Sequence, residues 1–575
     1  MLYEFPNFKL ISLFRKGASG EDDLSQQTEI GGKAKGLLIV YDVVSQLNHS
    51  YFPSIKIGIP DMVVLGTSVF DVFMERNQLF QIALSSASND RIAHAFQKAE
   101  LPFEILGDLR ILIEKWSMPL AIRSSGLLED TLHQPFAGVY QTKMIPNNAT
   151  ELEVRFQKLV EAIKYVWSST YFNLAKDYAQ VVGFDIRKEK MAIIIQKMVG
   201  KRHENRYYPE LSGVARSYNF YPYKPARPED GVVSLALGLG KTVVDGNKTW
   251  TYSPQYPKSP PPFKTTDAIL QETQSDFWYV NMGETQAYNP IDEIEYMRLE
   301  NLTVAEKDNV LDHLASTFDL ESERVSIGLG LRGPRILTFA PLLTLQTIPV
   351  NEVIKKMLKM FTDYFSQPVE IEFAMTFQPD CFHLLQVRPM RLYDDKLQIE
   401  EADLFGNHLI AASKSVLGNG MLADITDIVY VKPEQFMMKY SREVAEELEN
   451  HNQHLLQANR PYILIVFGRL GTQDPWLGVP IAWGKICAAK VIIETSKENR
   501  NIELSQGSHY FHNINSLDVK YFSIPFSQTF RIDWDWLESQ TTIVEKRFTK
   551  HVRCEKPLIV KVDGKKGWGI ILRAE

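Results

Sequence analysis

The chain has 575 residues, of which 45% are hydrophobic and 23% are charged, a composition typical of globular proteins with buried cores. The formal net charge of -7 argues against a dedicated nucleic-acid binder, which usually carries a basic face. Three cysteines without metal-ligand spacing argue against a disulfide framework, and no apolar run reaches the roughly 18 residues that span a bilayer. We therefore expect a cytoplasmic protein of about three or four domains or subdomains, without a signal peptide and without nucleic-acid or membrane partners.

The predicted elements of the first part of the chain alternate between helices and strands. Residues 1–27 are mixed in character and predict an N-terminal extension. A Gly-Gly-Lys loop then leads into an apolar run, a pattern typical of a loop that opens a helix. The spacing of apolar residues predicts helices at 68–76, within 80–117 and at 151–178, and strands at 57–65, 119–125, 139–144, 190–199 and from 213.

The later part of the chain contains a second set of elements. A strand is predicted at 232–239, an exposed Pro- and Ser-rich loop at 253–263 and a helix at 350–365. Residues 369–374 alternate as a strand does, and residues 381–388 are the expected antiparallel partner. After a linker at 396–420, residues 421–575 predict a smaller α/β domain, with strands at 428–431 and 462–466, a helix at 433–458 and a final hairpin over 558–572.

Two segments of the first part carry cations that suit phosphates. Lys33 lies in the Gly-Gly-Lys loop, and a lysine is a mobile point charge that can meet phosphate oxygens. Arg123 ends a strand before a loop at 126–138, whose terminal glycines let backbone N–H groups approach an anion. Taken alone, the Gly-Gly-Lys tripeptide is more often an ordinary surface loop, and the alternative for the second segment is a flexible surface loop that holds a salt-bridged arginine.

The strand at 369–374 carries two acids. Glu370 and Glu372 are two residues apart, so both carboxylates lie on one face of the strand. Such a pair suits Mg²⁺, although a solvated outer face is the commoner reason for this pattern. If the two strands form a hairpin, Gln386 lies near Glu372 and can add an amide oxygen, while Arg388 adds positive charge for phosphates. Residues 238–242 resemble the end of a P-loop but lack its first glycine.

Taken in order, these segments resemble the nucleotide-binding domain of the phosphoenolpyruvate synthase and pyruvate phosphate dikinase family, which has an ATP-grasp-type fold. The matching segments run in the family's order across residues 28–392. They read GGKAKGLLI, IRSSGLLEDTLHQPFAGVYQT, MAIIIQKMV, SGVARS, LGLGKTVVDG, VEIEFA and HLLQVRP.

The resemblance implies ATP and Mg²⁺ as cofactors and a role for each matching residue. The residues implied to hold or adjoin the ATP phosphates are Lys33, Arg123, Gly138, Thr142 and Arg388. Those implied at the adenine edge are Gln196, Met198 and Val199. Those implied to hold Mg²⁺ are Glu372 and Gln386, with Glu370 as a neighbouring ligand. Arg123 and Arg388 would also act in catalysis, by neutralising charge during transfer.

The sequence departs from the family in three ways. Lys241 stands where the family usually has glutamate after Gly-Leu-Gly, which reverses a charge near the cleft. Arg216 replaces a residue that is usually apolar. Full synthases also carry a swivelling phosphohistidine domain and then a pyruvate-binding barrel of about 250 residues, which is more than follows position 400 here. We therefore expect no such barrel in this chain.

The C-terminal region offers two further motifs. The usual Thr-Cys/Ser-His-Ala motif of a swivelling domain is absent from the sequence, and His509, after a Gly-Ser turn, is the candidate phosphoryl acceptor. That histidine could equally pack beside its aromatic neighbours. The glycine-rich loop at 468–480 contains Arg469 and predicts either an anion site or a rigid loop pinned by Trp476.

These observations predict an α+β or α/β multidomain fold. An ATP-grasp-like nucleotide-binding domain would comprise a subdomain at 28–230 with the phosphate loop and a subdomain at 231–395 with the magnesium strands. The predicted function is transfer of a phosphoryl group from Mg·ATP to a histidine, here or on a separate phosphohistidine or acceptor-binding protein, or to another acceptor. The alternatives are a non-catalytic ATP-sensing module, which Lys241 and the missing barrel favour, and a scaffold with a decayed site.

Overall fold

A computed structural model describes residues 8–11, 29–47, 51–129, 138–220, 222–261, 266–284, 287–390, 397–406, 408–472, 476–497, 519–526, 530–564 and 566–573. Within these ranges the chain is a mixed α/β protein built on several sheets. No helix in the described ranges has both the length and the apolar composition needed to cross a bilayer.

The first sheet has five strands and contains the segments predicted to bind phosphates. Its strand order is β1 (Phe8–Ile11), β3 (Met62–Leu65), β6 (Met191–Lys197), β4 (Leu120–Gly126) and β5 (Thr142–Ile145). The helices of this part are α1 (Gly31–Ser45), α2 (Thr67–Arg76), α3 (Phe80–Ala83), α4 (Asn89–Lys98), α5 (Phe103–Lys115), α6 (Leu152–Ser168) and α7 (Asn173–Val181). Helix α6 packs on β4 and β5 and carries α4 and α5 on its outer side.

The predicted helix at 151–178 is interrupted. A 3₁₀ turn at Ser169–Tyr171 separates α6 from α7. The Ser168 hydroxyl donates to the Tyr165 carbonyl at 2.6 Å, and the Ser169 hydroxyl donates to the Val166 carbonyl at 2.7 Å. Serine hydroxyls that bond back to helix carbonyls compete with the helix ladder, which accounts for the break.

The second sheet has six strands and contains the predicted acidic strand. Its order is β11 (Trp250–Tyr252), β10 (Val232–Ala236), β9 (Leu211–Arg216), β17 (Val369–Thr376), β18 (Cys381–Pro389) and β2 (Lys56–Gly58). Helix α12 (Val350–Phe365) packs on β17, β18 and β9, and α1 contacts both β18 and β4. Helix α1 therefore lies against both the first and the second sheet. Because β9 pairs with β10, the second sheet crosses the predicted boundary at 230/231, and that boundary remains a prediction.

Two smaller sheets complete the part before residue 390. One is β13 (Met297–Asn301), β12 (Asp276–Asn281), β8 (Arg206–Tyr208) and β7 (Lys201–His203). The other is β15 (Arg324–Ile327), β14 (Ala315–Asp319) and β16 (Arg335–Leu337). The helices of this part are α8 (Lys241–Val244), α9 (Thr266–Glu272), α10 (Leu302–Lys307) and α11 (Ala340–Leu343).

The C-terminal region is built on a nine-stranded sheet of mixed direction. Its main path is β19 (Leu409–Ser413), β29 (Trp568–Leu572), β28 (Thr549–Asp563), β21 (Gly420–Val431), β22 (Tyr462–Phe467), β25 (Ala489–Thr495), β26 (Lys520–Ile524) and β20 (Val416–Leu417), and β27 (Thr541–Glu545) pairs with β28. A separate pair is β23 (Arg469–Leu470) with β24 (Gly478–Val479), and the helices are α13 (Ser441–Gln457) and α14 (Trp534–Ser539). Strands β19 and β20 lie inside the predicted linker, and α13 begins eight residues after Pro433.

Candidate functional site

The predicted acidic strand and its partner form the hairpin that the sequence predicted. Strands β17 and β18 are antiparallel, with Glu370 opposite Arg388 and Glu372 opposite Gln386. Residues directly opposite each other in an antiparallel pair point to the same face. The hairpin therefore presents all four side chains on one face of the second sheet.

A β-bulge interrupts this hairpin at Leu385. The register passes from Glu372–Gln386 to Phe373–Leu384, so Leu385 has no residue opposite it. The extra residue of a bulge leaves the ladder, and its backbone groups can bond elsewhere. The carbonyl of Leu385 accepts a hydrogen bond from Arg123 Nη1 at 2.9 Å. The bulge therefore supplies the oxygen that joins the second sheet to the first.

Arg123 spans the gap between the two sheets. Its Nη2 donates to the side-chain oxygen of Gln386 at 3.1 Å, and its Nη1 also approaches the Gln196 side-chain oxygen at 3.3 Å. The Nε2 of Gln196 is buried and has no hydrogen-bond partner among the described residues. Arg123, which is predicted to bind phosphates, thus contacts both Gln386, a predicted metal ligand, and Gln196, a predicted adenine-edge residue.

Glu370 is enclosed by two arginines. Its Oε1 accepts from Arg388 Nε at 2.7 Å, and its Oε2 accepts from Arg216 Nε at 2.6 Å. All three residues are buried, because β9 lies beside β17 and places Arg216 opposite Glu370. Both oxygens of Glu370 are therefore engaged already, and the geometry gives no support to the expectation that Glu370 is a metal ligand. Glu372 makes a longer contact, at 3.4 Å from Arg388 Nη2.

Lys33 is buried and is paired with a carboxylate. Its Nζ lies 2.6 Å from Glu129 Oε1 and 3.3 Å from the Ser124 hydroxyl. The structure places Lys33 in the first turn of α1 and not in a loop, and this turn is pinned to β4 because the Ala34 N–H donates to the Ser125 hydroxyl at 3.0 Å. Gly31 has φ of +74°, and a Cβ there would overlap with the Ser125 carbonyl, so this position requires glycine. From the sequence, Glu129 was only one residue of the loop predicted at 126–138, and its contact with Lys33 was not predicted.

The remaining predicted nucleotide residues lie along the first sheet. Thr142 pairs with Arg123 across β4 and β5, and Gly138 precedes that strand with φ of +69°. The Met198 N–H donates to the Pro119 carbonyl at 3.0 Å, and its carbonyl accepts from the Tyr207 hydroxyl at 3.0 Å. The backbone of Val199 makes no hydrogen bond to another residue that the structure describes. Val199, rather than Met198, therefore has backbone groups available to a ligand.

Lys241 belongs to a charged cluster beside Thr142. Its Nζ lies 3.0 Å from Asp245, one helical turn later. Burial opposes the charge of Lys241, but the carboxylates of Asp245 and Glu293 outweigh it and raise the pKa of the lysine. Burial raises the pKa of both Asp245 and Glu293, and Glu293 accepts a backbone hydrogen bond from Thr142. The charge that departs from the family pattern is therefore compensated locally.

Some of the residues predicted to be functional lie outside the part of the chain that the structure describes. His509 and most of the loop at 126–138 lie outside the described residues. In the part of the chain that is described, no group of three or more His, Cys, Asp and Glu side chains is arranged to hold a metal. A cavity of about 750 Å³ lies along α12, and none of the predicted site residues lines it. The predicted site therefore lies between the first and second sheets and is separate from this cavity.

Comparison with known proteins identifies the family of residues 27–405. The family model of the pyruvate phosphate dikinase AMP/ATP-binding domain matches residues 27–405. The chain belongs to this family. The resemblance that the order of the sequence motifs indicated is therefore confirmed, and the domain of this family contains the Arg123, Gln196, Glu372 and Gln386 contacts.

The relatives of this dikinase-family chain are longer proteins. The phosphoenolpyruvate synthase of Aeropyrum pernix is 26% identical over 287 residues, which is 49% of this chain and 30% of that protein. A probable phosphoenolpyruvate synthase of Pyrococcus horikoshii is 27% identical over 165 residues, covering 28% of this chain and 18% of that protein. The phosphoenolpyruvate synthase of Pyrococcus furiosus is 26% identical over 169 residues, with the same two shares. The chain spans less than a third of the length of these relatives.

Proposed function

We propose that this chain binds Mg·ATP between its first and second sheets, in an ATP-grasp-like arrangement, and transfers a phosphoryl group to an acceptor. The observation that carries the proposal is the contact of Arg123 with Gln386 and with the Leu385 carbonyl, at 3.1 and 2.9 Å. This contact supports the proposal because it brings the residue expected to bind phosphate next to the residue expected to bind the metal, as a single shared cleft requires.

The donor set fits the nucleotide. The buried, unpartnered Nε2 of Gln196 and the available backbone of Val199 offer hydrogen bonds to a base, beside the apolar strand β6. Buried polar groups are almost always bonded, so an orphaned donor at this position supports a ligand site. Arg123 and Lys33 would hold the phosphates, with the Gly138 and Thr142 backbone beside them.

The oxygens fit magnesium. Glu372 and Gln386 lie opposite each other on one face, and a carboxylate plus an amide oxygen is a suitable pair for an ion that otherwise binds water and phosphate. The Gln386 oxygen accepts from Arg123 at 3.1 Å, so the ion would use its second lone pair. When bound, the ion would neutralise charge on the transferred phosphoryl group. Glu370 would hold Arg388 in place through the 2.7 Å contact rather than bind the ion itself. Arg388 would then act as a fixed cation near the phosphates.

Nucleotide binding would change one contact of the site. Lys33 is paired with Glu129 at 2.6 Å, and both side chains are buried. To reach a phosphate, the ammonium would exchange this carboxylate for a phosphate oxygen. The exchange keeps an anionic partner for Lys33, but it leaves the buried Glu129 carboxylate with only its hydrogen bonds from the Ser124 hydroxyl and the Gly126 N–H, at 2.9 and 3.0 Å. Phosphate binding would therefore have to offset the cost of separating a buried ion pair.

The first test is binding. We expect Mg·ATP to raise the unfolding temperature of the full chain, because a ligand of the native state adds stability. Glu372→Gln should reduce the magnesium-dependent part of this shift, and Arg123→Ala should reduce the shift with or without the ion. Glu153→Gln and Arg110→Ala, which alter an exposed ion pair, are matched controls. No shift in the wild-type protein would refute the proposal.

The second test is transfer. Incubation with ATP labelled at the β or the γ position, alone and with candidate acceptor proteins, would reveal which phosphoryl group moves and whether ADP or AMP is released. Acid-labile, base-stable label on the chain would indicate a phosphohistidine, and its persistence in His509→Ala would reject that histidine. Tight binding without any turnover would replace the proposed transferase with an ATP-sensing module.

A further inference from the structure

The C-terminal sheet is docked on the nucleotide-binding part through an apolar contact. Helix α7 packs against a 3₁₀ turn at Trp483–Ile486, where Gly484 lies so close to Leu174 that a Cβ would overlap with it. Tyr178 and Ile486 belong to one hydrophobic cluster that runs from the first sheet into the C-terminal sheet. The two parts therefore share a core at this point.

A second, polar contact joins the C-terminal sheet to the other wall of the cleft. Arg469 Nη1 donates to the Gly246 carbonyl at 3.3 Å, two residues after α8. Arg469 also lines a cavity of about 20 Å³ together with Ser234 and Thr251. The C-terminal region thus contacts α7 in the part of the chain built on the first sheet, and it contacts the segment after α8 beside the second sheet.

The face beneath Arg469 is the one that carries the proposed magnesium ligands. Across the second sheet, Glu372 lies opposite Val214, Val214 opposite Ser234, and Ser234 opposite Thr251. All four side chains therefore share one face, and Ser234 is about 10 Å from Glu372, two strand spacings away. Helix α8 lies on this face through Val243, which packs on Val214.

The loop that carries Arg469 is held firmly. Strand β23 pairs with β24, and Gly478 approaches Arg469 so closely that a Cβ would overlap with its backbone. The Leu470 N–H donates to the buried carboxylate of Glu494 at 2.8 Å, and the Tyr521 hydroxyl bonds the other oxygen. A side chain that must be placed accurately is usually supported in this way by a second layer of bonds.

We propose that Arg469 is a positioning residue of the nucleotide site, supplied by the C-terminal region, which holds the segment of residues 241–247 over the magnesium face of the second sheet. The contacts continue inward from this segment, because Lys241 and Asp245 interact with Glu293, which accepts the Thr142 N–H. The role of Arg469 in Mg·ATP binding rests on the proposed function, whereas its role in holding residues 241–247 in place does not.

Hydrogen exchange of the full chain tests the placement. The N–H groups of Asp245, Gly246 and Asn247 donate to carbonyls within α8 at 2.9 to 3.1 Å, so their exchange reports whether the segment stays closed. We expect Arg469→Ala to speed their exchange about tenfold, the effect of one hydrogen bond. Arg469→Lys should restore part of the protection, since an ammonium also donates to a carbonyl. Arg442→Ala, on exposed α13 surface, is the control.

Nucleotide affinity tests the role. In Arg469→Ala, the Kd for Mg·ATP should rise about tenfold while the urea midpoint of the whole chain stays close to wild type, and Arg469→Lys should lie between. Unchanged exchange in Arg469→Ala would overturn the inference, and so would faster exchange with an unchanged Kd. If wild-type protein does not bind Mg·ATP, the proposed function fails, and the exchange comparison still decides whether Arg469 holds the segment.

Discussion

Glu189 provides a pH-dependent test of the buried charges behind the segments predicted to bind phosphates. The residue is buried, close to the backbone of Gly126. Burial, followed by the negative charge of Glu129, raises the pKa of Glu189 from 4.5 to about 8, and the N–H groups of Leu127 and Leu128 offset this only in part. The folded protein therefore keeps a proton on Glu189 that the unfolded chain releases.

The sign of the effect follows from the raised pKa. The contribution of Glu189 to stability is fully present below pH 4.5 and is lost as the pH rises towards about 8. With 1.36 kcal/mol for each pKa unit, the loss between about pH 6 and about pH 8 is on the order of 2 kcal/mol. Glu189→Gln cannot ionise, so its free energy of unfolding should lack this component.

Urea unfolding at these two pH values measures the effect. The difference in unfolding free energy between Glu189→Gln and wild type should shift by about 2 kcal/mol in favour of the variant as the pH rises from about 6 to about 8. Glu114→Gln, on the exposed side of α5, should show no such shift. A pH-independent difference for Glu189→Gln would refute the argument that Glu189 is protonated in the folded protein.

Three further predictions concern the core of the site. Glu370→Gln leaves two buried arginines without their carboxylate and should lower the urea unfolding free energy by about 3–5 kcal/mol; a loss below about 1 kcal/mol would contradict the buried pairing. Glu129→Gln releases Lys33 from its 2.6 Å ion pair and should tighten Mg·ATP binding several-fold in calorimetric titration, whereas weaker binding would show that Glu129 orients the lysine. Gly213→Ala puts a Cβ 2.5 Å from the Phe373 ring and should cost roughly 1–3 kcal/mol in the same urea assay, with Gly107→Ala, which has open space, as the control.

Local sequence patterns predicted the helices and strands that depend mainly on residues close together in the chain. The helix predicted at 350–365 is α12, and the strands predicted around 369–374 and 381–388 form the β17–β18 hairpin. Helix α12 buries one face with a 3.6-residue period, and β18 alternates between buried and partly exposed residues over its first five positions. Strand β17 is buried along nearly all of its length, so its two-residue period shows in the sequence and not in the burial. Glu372 and Gln386 could be paired from sequence because a hairpin brings its two strands together without help from distant chain.

Local sequence patterns did not predict ion pairs and strand pairings between residues far apart in the chain. Arg216 and Glu370 are 154 residues apart, and only the placement of β9 beside β17 makes them an ion pair. Arg216 stands out in the sequence because the family usually has an apolar residue there, and this indicates that its charge needs a partner. The sequence does not indicate that the partner is Glu370. The strands within the predicted linker were missed because β19 and β20 are short and pair with strands more than 100 residues later.

The extra residue of the bulge, Leu385, also changes which face of the sheet the neighbouring side chains of β18 point to. Phe382 and Leu384 are buried in the hydrophobic core, whereas Gln386 faces the opposite side, although all three are spaced by two. Deleting Leu385 would restore a regular ladder in which Leu384 and Gln386 keep their present faces, but it would remove the carbonyl that accepts from Arg123. A natural variant that lacks this one residue should therefore keep both faces of the hairpin but lose the Leu385 link to the first sheet, and an alignment should place its single gap at Leu385.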